Sequence, residues 1–301
     1  MKIKQSRYIM ILSILFVALV FASCTKTEYT ESNNIIEPSE VKNEIGKANV
    51  IIVDARSKED YDKGHIKGAI HLEASELSTT RPIPGMLRSK ADIEKVLSNK
   101  GISNDAILYV YDNNDGVFAS RVWWTLKGYG HENIKVINKG EKGLIEAKVE
   151  LSLEATSLPK TSYSAKDFQE NKVVNLEEMK KITSDEKSKT CIIDVRSTAE
   201  FDEGAIPKAI LYPHTKNIYT DGAFKSTRNI YLSYNELGLK REDLIILYCK
   251  TSFRATQTAL LLEEAGFTNV KVYDGAWEEW SKEFPTEKQV EKPVTTTQDG
   301  S

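Results

Sequence analysis

A cysteine between an apolar strand and an amphipathic helix is the residue of this sequence with the most evident chemistry. Cys249 opens the segment Cys-Lys-Thr-Ser-Phe-Arg and follows the apolar residues 244–248. The backbone N–H groups of such a loop converge on one point, and the helix N-terminus adds partial positive charge there. Because this environment favours an anion, we expect Cys249 to be a thiolate near neutral pH and a nucleophile that needs no separate base. The alternative is an inert, buried cysteine at a strand end.

The elements that must position this loop occur twice in the chain. The apolar strand that ends in Asp54-Ala55-Arg56-Ser57 recurs before Asp194-Val195-Arg196-Ser197. Each copy continues with a second apolar strand, a short loop, an amphipathic helix and a third short strand. Strands that alternate with helices and are apolar almost throughout predict parallel sheets covered by helices on both faces. The sequence therefore predicts an α/β protein of two similar domains.

The length of 301 residues also fits two ordinary domains, since domains usually have about 100 to 200 residues. A stretch around Pro159 with little apolar periodicity predicts the linker between them. The expected segments are a signal peptide (1–23), a polar tether (24–40), a first domain (41–150), a linker (151–163), a second domain (164–287) and a disordered tail (288–301).

The N-terminus has the pattern of an export signal. Lys2, Lys4 and Arg7 precede an apolar run over residues 8–22, which is shorter than the roughly 20 residues that span a bilayer. The segment Phe-Ala-Ser-Cys that ends at Cys24 resembles a bacterial lipobox, although a phenylalanine stands where an aliphatic residue is usual. We expect an exported bacterial protein that is anchored to the cell membrane, outside the cytoplasm, by acylation of Cys24. The alternative is a chance cysteine beside an ordinary cleavage site.

Composition excludes several classes of partner. The chain has 41 Lys and Arg against 44 Asp and Glu, a formal net charge of -3, so no basic excess favours nucleic acid. Three cysteines in a chain of this length do not predict a disulfide scaffold. The four histidines lack metal-ligand spacing, so we expect neither a metal nor another cofactor.

The ordered motifs of both halves resemble those of the tandem-domain rhodaneses, the thiosulfate and mercaptopyruvate sulfurtransferases, over about residues 38–285. The motifs are the two Asp-x-Arg-Ser segments, Ala-Ser-Arg-Val-Trp-Trp at 119–124, Gly-His-Glu-Asn-Ile at 130–134 and Tyr-Asp-Gly-Ala-Trp-Glu-Glu-Trp at 273–280. The resemblance implies two rhodanese-like domains, of which only the second is catalytic. Asp112 stands where the second domain has Cys249, and the two carboxylates of that loop, Asp112 and Asp115, would repel an anion.

The resemblance implies a double displacement. The Cys249 thiolate would take a sulfane sulfur from a small donor such as thiosulfate, and the persulfide would pass it to a thiophilic acceptor, cyanide or a thiol. Two other classes stay open: a phosphatase or arsenate reductase of the same fold, and a non-catalytic surface-anchored binding protein. Phosphate-binding loops of this kind need five residues between Cys and Arg, whereas four separate Cys249 from Arg254.

The candidate substrate-binding residues surround the nucleophile. They are Arg196, Lys250, Thr251, Ser252, Phe253 and Arg254. Arg196 matches the donor-binding arginine of the family, or else forms an exposed ion pair with Glu200. Lys250 either binds the anionic end of the donor or points to solvent. Arg254 either stabilises the persulfide or locks the loop through hydrogen bonds to carbonyls.

Departures from the family bear on the donor. Thiosulfate-type loops have basic residues at both positions after the cysteine, whereas here the second is Thr251. Ser252 replaces a glycine that is common in these loops, and this would tighten the cradle if the position needs a positive φ. Mercaptopyruvate-type enzymes use a histidine and an aspartate from the first domain, and Gly85 stands in the place of that histidine. We therefore favour thiosulfate over mercaptopyruvate.

The lipid anchor is testable at Cys24. The wild-type protein should partition into detergent, whereas Cys24→Ser should become soluble or stay uncleaved, because the acylated thiol is absent. More than one acyl group is expected, since a single chain gives only marginal membrane binding. Mass spectrometry of the mature N-terminus is the measurement, and an unacylated N-terminus in the wild type would contradict the interpretation.

Overall fold

The computed structural model describes residues 29–284. Both halves of this range contain short strands that are rich in β-branched residues. The first domain contains, in chain order, β1 (Ile35–Ile36), α1 (Pro38–Glu44), β2 (Val50–Asp54), α2 (Lys58–Lys63), β3 (His65–Ile66), β4 (Ile70–His71), α3 (Lys90–Asn99), β5 (Ile107–Tyr111), α4 (Val117–Gly128), β6 (Ile134–Ile137), α5 (Gly140–Glu146) and β7 (Leu151–Ser152). The expected signal peptide, Cys24 and the tail lie outside the described residues.

The second domain repeats this order. It contains β8 (Val173–Val174), α6 (Leu176–Ser184), β9 (Cys191–Asp194), α7 (Thr198–Glu203), β10 (Ala209–Leu211), α8 (Thr227–Glu236), β11 (Ile245–Tyr248), α9 (Phe253–Glu264), β12 (Val270–Tyr273) and α10 (Ala276–Glu283). Short 3-10 helices lie at Ala74–Leu77, Glu170–Lys172 and His214–Asn217. Within the described part of the chain, no helix is long and apolar enough to cross a bilayer.

Each domain is built on one parallel sheet. The described strands of the first sheet are ordered β1-β6-β5-β2-β4, and those of the second are ordered β10-β9-β11-β12-β8. Read from the opposite edge, the second order matches the first strand for strand. Apolar clusters cover both faces of each sheet, so every central strand is buried on two sides. The prediction of two α/β domains with helices on both faces of a parallel sheet is confirmed.

Matching capping residues begin the helix after the first long strand of each domain. The Ser57 hydroxyl accepts a hydrogen bond from the Asp60 N–H, and the Ser197 hydroxyl accepts one from the Glu200 N–H. A serine at the N-cap satisfies an N–H group that the helix itself leaves unpaired. The repeated Asp-x-Arg-Ser segment therefore fixes where the second element of each domain starts.

Residues 29–40 belong to the folded protein, so the expected tether over 24–40 is wrong for this part. Ile35 and Ile36 form the edge strand β1 and pair with β6. Tyr29 is buried, its ring lies 6.5 Å from that of Phe224 in the second domain, and its hydroxyl donates to the Lys225 carbonyl. A two-residue strand is too short to show periodicity, which is why the polar composition around it indicated a tether.

The linker is fastened to the surface of the first domain. Leu151 pairs with Ile66 in the small antiparallel ladder of β7 and β3. Farther along, the Thr161 hydroxyl donates to the Ile102 carbonyl, and the buried Tyr163 hydroxyl lies 3.1 Å from Nδ1 of His131. The connection between the domains is therefore held at both ends.

The domains contact each other in a reciprocal way. Helices α4 and α9 pack together, and their buried residues share one apolar core. In the first domain the Leu87 N–H donates to the Asp274 carboxylate at 2.7 Å, and in the second the Phe224 N–H donates to the Asn138 amide oxygen at 2.9 Å. Asp274 and Asn138 each follow the third long strand of their domain. Each domain thus sends a loop onto the same point of its neighbour.

A buried ion pair crosses the interface. Arg121 on α4 is fully buried, and its Nη1 lies 3.1 Å from Oδ1 of Asp274. Its Nη2 donates to the Gly85 carbonyl at 2.7 Å, and the guanidinium lies 5.3 Å from the ring of Phe253. A guanidinium with this burial is stable only while its charge is compensated. The Asp274 carboxylate supplies the compensating charge from the second domain.

Asp274→Asn should destabilise the protein by about 3 kcal/mol, because it leaves the Arg121 charge buried and unpaired. Urea unfolding measures the free energy of unfolding. The matched control is Asp167→Asn, which removes an exposed partner of Lys90 and should change that free energy by less than about 1 kcal/mol. Equal stability of Asp274→Asn and the wild type would show that the pair does not hold the domains.

Candidate active site

Cys249 lies where the central strand of the second sheet meets the buried helix α9. It directly follows β11, is buried, and stands four positions before Phe253, the first residue of the helix. Its carbonyl accepts a hydrogen bond from the Trp277 N–H at 3.0 Å, and the Lys250 carbonyl accepts one from the Glu278 N–H at 3.1 Å. The closing motif of the domain therefore holds the start of the loop in place.

Ser252 gives the loop its sharp return into the helix. It caps α9 with a φ of 70°, in the left-handed region, and Gly116 holds the same position before α4 with a φ of 80°. The Ser252 hydroxyl is buried and bonds to the carbonyls of Asp274 at 2.6 Å and Tyr273 at 3.2 Å. The condition named in the sequence analysis is therefore met, since this position does take a positive φ. Two hydrogen bonds stabilise a backbone conformation that a serine rarely adopts.

Arg254 lies between a carboxylate and the cysteine. Its Nη1 and Nη2 bind the two carboxylate oxygens of Glu200 at 2.7 and 2.8 Å. This pairing lowers the pKa of Glu200 to about 2. The pKa of Arg254 is raised, first by the hydrogen bond to Glu200 and then by the charge of Cys249, while burial opposes the shift. Among the described contacts the Arg254 guanidinium bonds to Glu200 and to no loop carbonyl, and stabilisation of a persulfide stays a prediction.

Arg196 is engaged away from the loop. Its Nε and Nη2 bind Asp194 at 2.6 to 3.0 Å, Nη2 also donates to the Gly204 carbonyl, and the guanidinium lies 4.4 Å from the ring of Trp277. The alternative of an exposed pair with Glu200 is wrong, because Arg196 is buried and Glu200 binds Arg254. Donor binding by Arg196 stays a prediction.

The other loop residues divide between solvent and the first domain. The Lys250 side chain is 60% exposed, with Nζ 3.8 Å from Glu278. Phe253 packs edge to face on Phe118 of α4, with ring centroids 6.4 Å apart. Lys250 is therefore accessible to a donor that approaches from solvent, whereas Phe253 belongs to the domain contact.

Thr251 faces a tight turn of the first domain. A Cβ placed on Gly85 would lie only 2.6 Å from the Thr251 carbonyl oxygen, and Gly85 has a φ of 90°. Both the space and the backbone conformation therefore require glycine. A histidine at this position would need the turn to move away from the catalytic loop.

The equivalent loop of the first domain is filled by its own side chain. The Asp112 carboxylate is buried and accepts hydrogen bonds from the N–H groups of Asn114, Gly116 and Ala119 at 2.8 to 2.9 Å. Burial raises its pKa, while these hydrogen bonds oppose the shift. The N–H groups of this loop do converge on one point, as the sequence predicts, but an internal carboxylate occupies it. An external anion has no access to this cradle.

Two residues beside the loop, Glu200 and His214, were not predicted as site residues, and Glu200 was considered only as a partner of Arg196. Glu200 could have been found from the repeat, because Asp60 holds its position in the first domain and also binds the neighbouring loop, at Asn113. His214 was considered only as a metal ligand. It follows β10, its N–H donates to the Val195 carbonyl, and its Nδ1 is buried. Among the described residues, no cluster of His, Cys, Asp and Glu could hold a metal.

The fold and this site define a two-domain α/β protein with a buried cysteine between a strand and a helix of one domain. The family model for the rhodanese-like domain matches residues 37–147 and 175–283. The chain therefore belongs to the rhodanese-like family, and its relatives place it among the sulfurtransferases of that fold. A protein of Mycolicibacterium smegmatis, provisionally named a thiosulfate sulfurtransferase, is 33% identical over 237 residues, 73% of this chain and 84% of the relative.

Three further proteins are similar to this chain. A sulfur carrier protein of Thermus thermophilus is 28% identical over 238 residues, 73% of this chain and 83% of its own. The structure of a 3-mercaptopyruvate sulfotransferase from Escherichia coli matches with a TM-score of 0.73 and 28% identity, over 81% of this chain and 98% of that chain. An ergothioneine biosynthesis enzyme from Chlorobium limicola, at 22% identity and a TM-score of 0.76, shares the fold over 88% of this chain and 72% of its own.

The backbone strain at Ser252 should make two substitutions at this position differ in stability. Ser252→Ala loses both hydrogen bonds and keeps the unfavourable φ, so it should destabilise the protein by about 2 kcal/mol. Ser252→Gly loses the same bonds but relieves the backbone, so it should be about 1 kcal/mol more stable than the alanine variant. Chemical unfolding of the two variants measures this difference. Equal stabilities would show that the left-handed conformation is not strained.

Proposed function

We propose that this protein transfers a sulfane sulfur from thiosulfate to a thiophilic acceptor through a persulfide on Cys249. The observation that carries the proposal is the place of the buried Cys249 at the turn from β11 into α9, the helix whose Arg254 is oriented by Glu200. The thiolate attacks the outer sulfur of thiosulfate, the bond between the two sulfurs breaks, and sulfite leaves with the electron pair. The acceptor then removes the outer sulfur and regenerates the thiolate.

The electrostatics of the loop support an anionic nucleophile and an anionic intermediate. Thiolate and persulfide each carry negative charge beside Arg254 and at the N-terminus of α9. Cys249 is buried, so these charges interact across a medium of lower dielectric than water. Because the Glu200 carboxylate is itself bound to Arg254, the guanidinium keeps one orientation through both half-reactions.

The preference for thiosulfate follows from two neighbours of the loop. Gly85 leaves no room for the histidine expected of a mercaptopyruvate-type site. Lys250 is exposed beside Cys249 and offers its ammonium to the sulfonate end of an incoming dianion. Since the Escherichia coli neighbour is described as a 3-mercaptopyruvate sulfotransferase, the experiment must compare both donors.

We also propose that the enzyme works outside the cytoplasm on a lipid anchor. The support is the basic N-terminus, the apolar run and Cys24, all in the sequence. Tyr29, the first described residue, is buried in the folded protein only a few positions after Cys24, so an anchor there would hold the domains close to the membrane surface.

The nucleophile is tested by incubating the purified protein with thiosulfate and measuring its intact mass. The wild type should gain one sulfur atom, and Cys249→Ser should gain none, because a serine hydroxyl is not ionised near neutral pH. Cys191→Ser is the matched control and should load normally, since burial raises the pKa of that thiol to about 11. Asp112→Ala should also load.

The other outcomes identify the alternatives. Loading from mercaptopyruvate but not from thiosulfate would make the proposed donor wrong. Hydrolysis of an aryl phosphate without loading would indicate a phosphatase. If the protein shows neither sulfur loading nor phosphate hydrolysis, the result would indicate a binding protein. Retained sulfur transfer in Cys249→Ser would sink the persulfide mechanism.

A further inference from the structure

An imidazole with an unpartnered nitrogen lies at the same sheet edge as the nucleophile. His214 follows β10 and Cys249 follows β11, and β9 lies between these two parallel strands. Two backbone hydrogen bonds connect the segments of His214 and Cys249. The His214 N–H donates to the Val195 carbonyl at 3.1 Å, and the Val195 N–H donates to the Tyr248 carbonyl at 3.0 Å. Tyr248 directly precedes Cys249.

The surroundings of His214 favour a neutral ring. Its pKa is lowered, first by burial and then by the positive charge of Arg254, while a hydrogen bond with the Val195 backbone and the charges of Asp115 and Glu200 act in the opposite direction. Nδ1 is buried and has no hydrogen-bond partner within residues 29–284. A neutral imidazole with a free nitrogen can accept a proton.

The inactive domain differs at this position. Ala74 begins the corresponding 3-10 helix, and its N–H is directed at the Ala55 carbonyl as that of His214 is at the Val195 carbonyl. The backbone of this segment is therefore the same in both domains without an imidazole. His214 is not needed for the local fold, and it occurs in the domain that has the nucleophile.

We propose that His214 is the base that deprotonates the sulfur acceptor, and that this acceptor is an alkyl thiol. This inference rests on the proposed persulfide. The ring takes the proton of R–SH, and R–S⁻ attacks the outer sulfur of the Cys249 persulfide. The bond between the two persulfide sulfurs breaks, Cys249 leaves as the thiolate beside Arg254, and R–S–S carries the transferred sulfur away. The proton on the ring passes to this product or to water, so no oxidant or reductant is consumed.

The general chemistry explains why an alkyl thiol needs such a base. A free alkyl thiol ionises near pH 8.5 and is mostly protonated at neutral pH, and the nucleophile is the thiolate. General base catalysis typically contributes on the order of a hundredfold or more. An aryl thiol that is already ionised would gain nothing from the same imidazole.

The test compares His214→Gln with the wild type in the second half-reaction alone. Protein loaded with sulfur is mixed rapidly with β-mercaptoethanol or with thionitrobenzoate, an aryl thiol that is ionised at neutral pH. We expect the variant to transfer sulfur to β-mercaptoethanol at least about tenfold more slowly at neutral pH. Its transfer to thionitrobenzoate should stay within about twofold, and the deficit with the alkyl thiol should shrink as pH rises.

The controls separate a base from a packing residue. His71→Gln removes a half-buried imidazole of the first domain, bonded to the Arg56 carbonyl, and should leave both rates unchanged. His214→Asn is the second variant and serves if His214→Gln does not fold. Equal slowing with both thiols, or unchanged rates with both, would overturn the proposal.

Failure of the proposed donor is distinguishable from failure of this inference. If the wild type gains no sulfur from thiosulfate, the choice of donor is wrong. The persulfide is then formed with inorganic polysulfide, and the same comparison of the two thiols still tests His214. If polysulfide does not load Cys249 either, both proposals are overturned.

Discussion

Asp274 is the residue on which both the domain contact and the Cys249 loop depend. Its carboxylate oxygens accept hydrogen bonds from Arg121 and the Leu87 N–H of the first domain, while its backbone carbonyl accepts one from the Ser252 hydroxyl of the loop. The loop that carries Cys249 therefore has one wall fixed by the other domain. The first domain thereby helps to hold the conformation of the Cys249 loop in the second domain.

The duplicated cradle shows how one loop geometry can have two outcomes. In the first domain the N–H groups converge on the Asp112 carboxylate, which is part of the chain and cannot leave. In the second domain a cysteine stands at that position. Beside it lies the positive charge of Arg254, which is bound to the Glu200 carboxylate. The first cradle is thus filled by a carboxylate of the chain itself, whereas the second has a cysteine in the same place.

Much of the fold and the centre of the site could be predicted from the sequence. The repeat, the parallel sheets and the position of Cys249 depend on contiguous patterns, and each of these patterns is long enough to recognise. The prediction of a tether was wrong over residues 29–40 because a strand of two residues is too short to show a hydrophobic period. The alternative of an ion pair between Arg196 and Glu200 was wrong because tertiary packing gives each residue another partner. Arg196 binds Asp194, and Glu200 binds Arg254.

The sequence by itself determined the two domains and the place of Cys249 between a strand and a helix, since both are set by neighbours along the chain. Only the tertiary structure decided which side chains face that loop. Arg121 and Asp274 are 153 positions apart, and Glu200 and Arg254 are 54 apart. Contacts over such separations depend on how strands and helices are stacked, and a residue's type gives no information about a partner that distant in the chain.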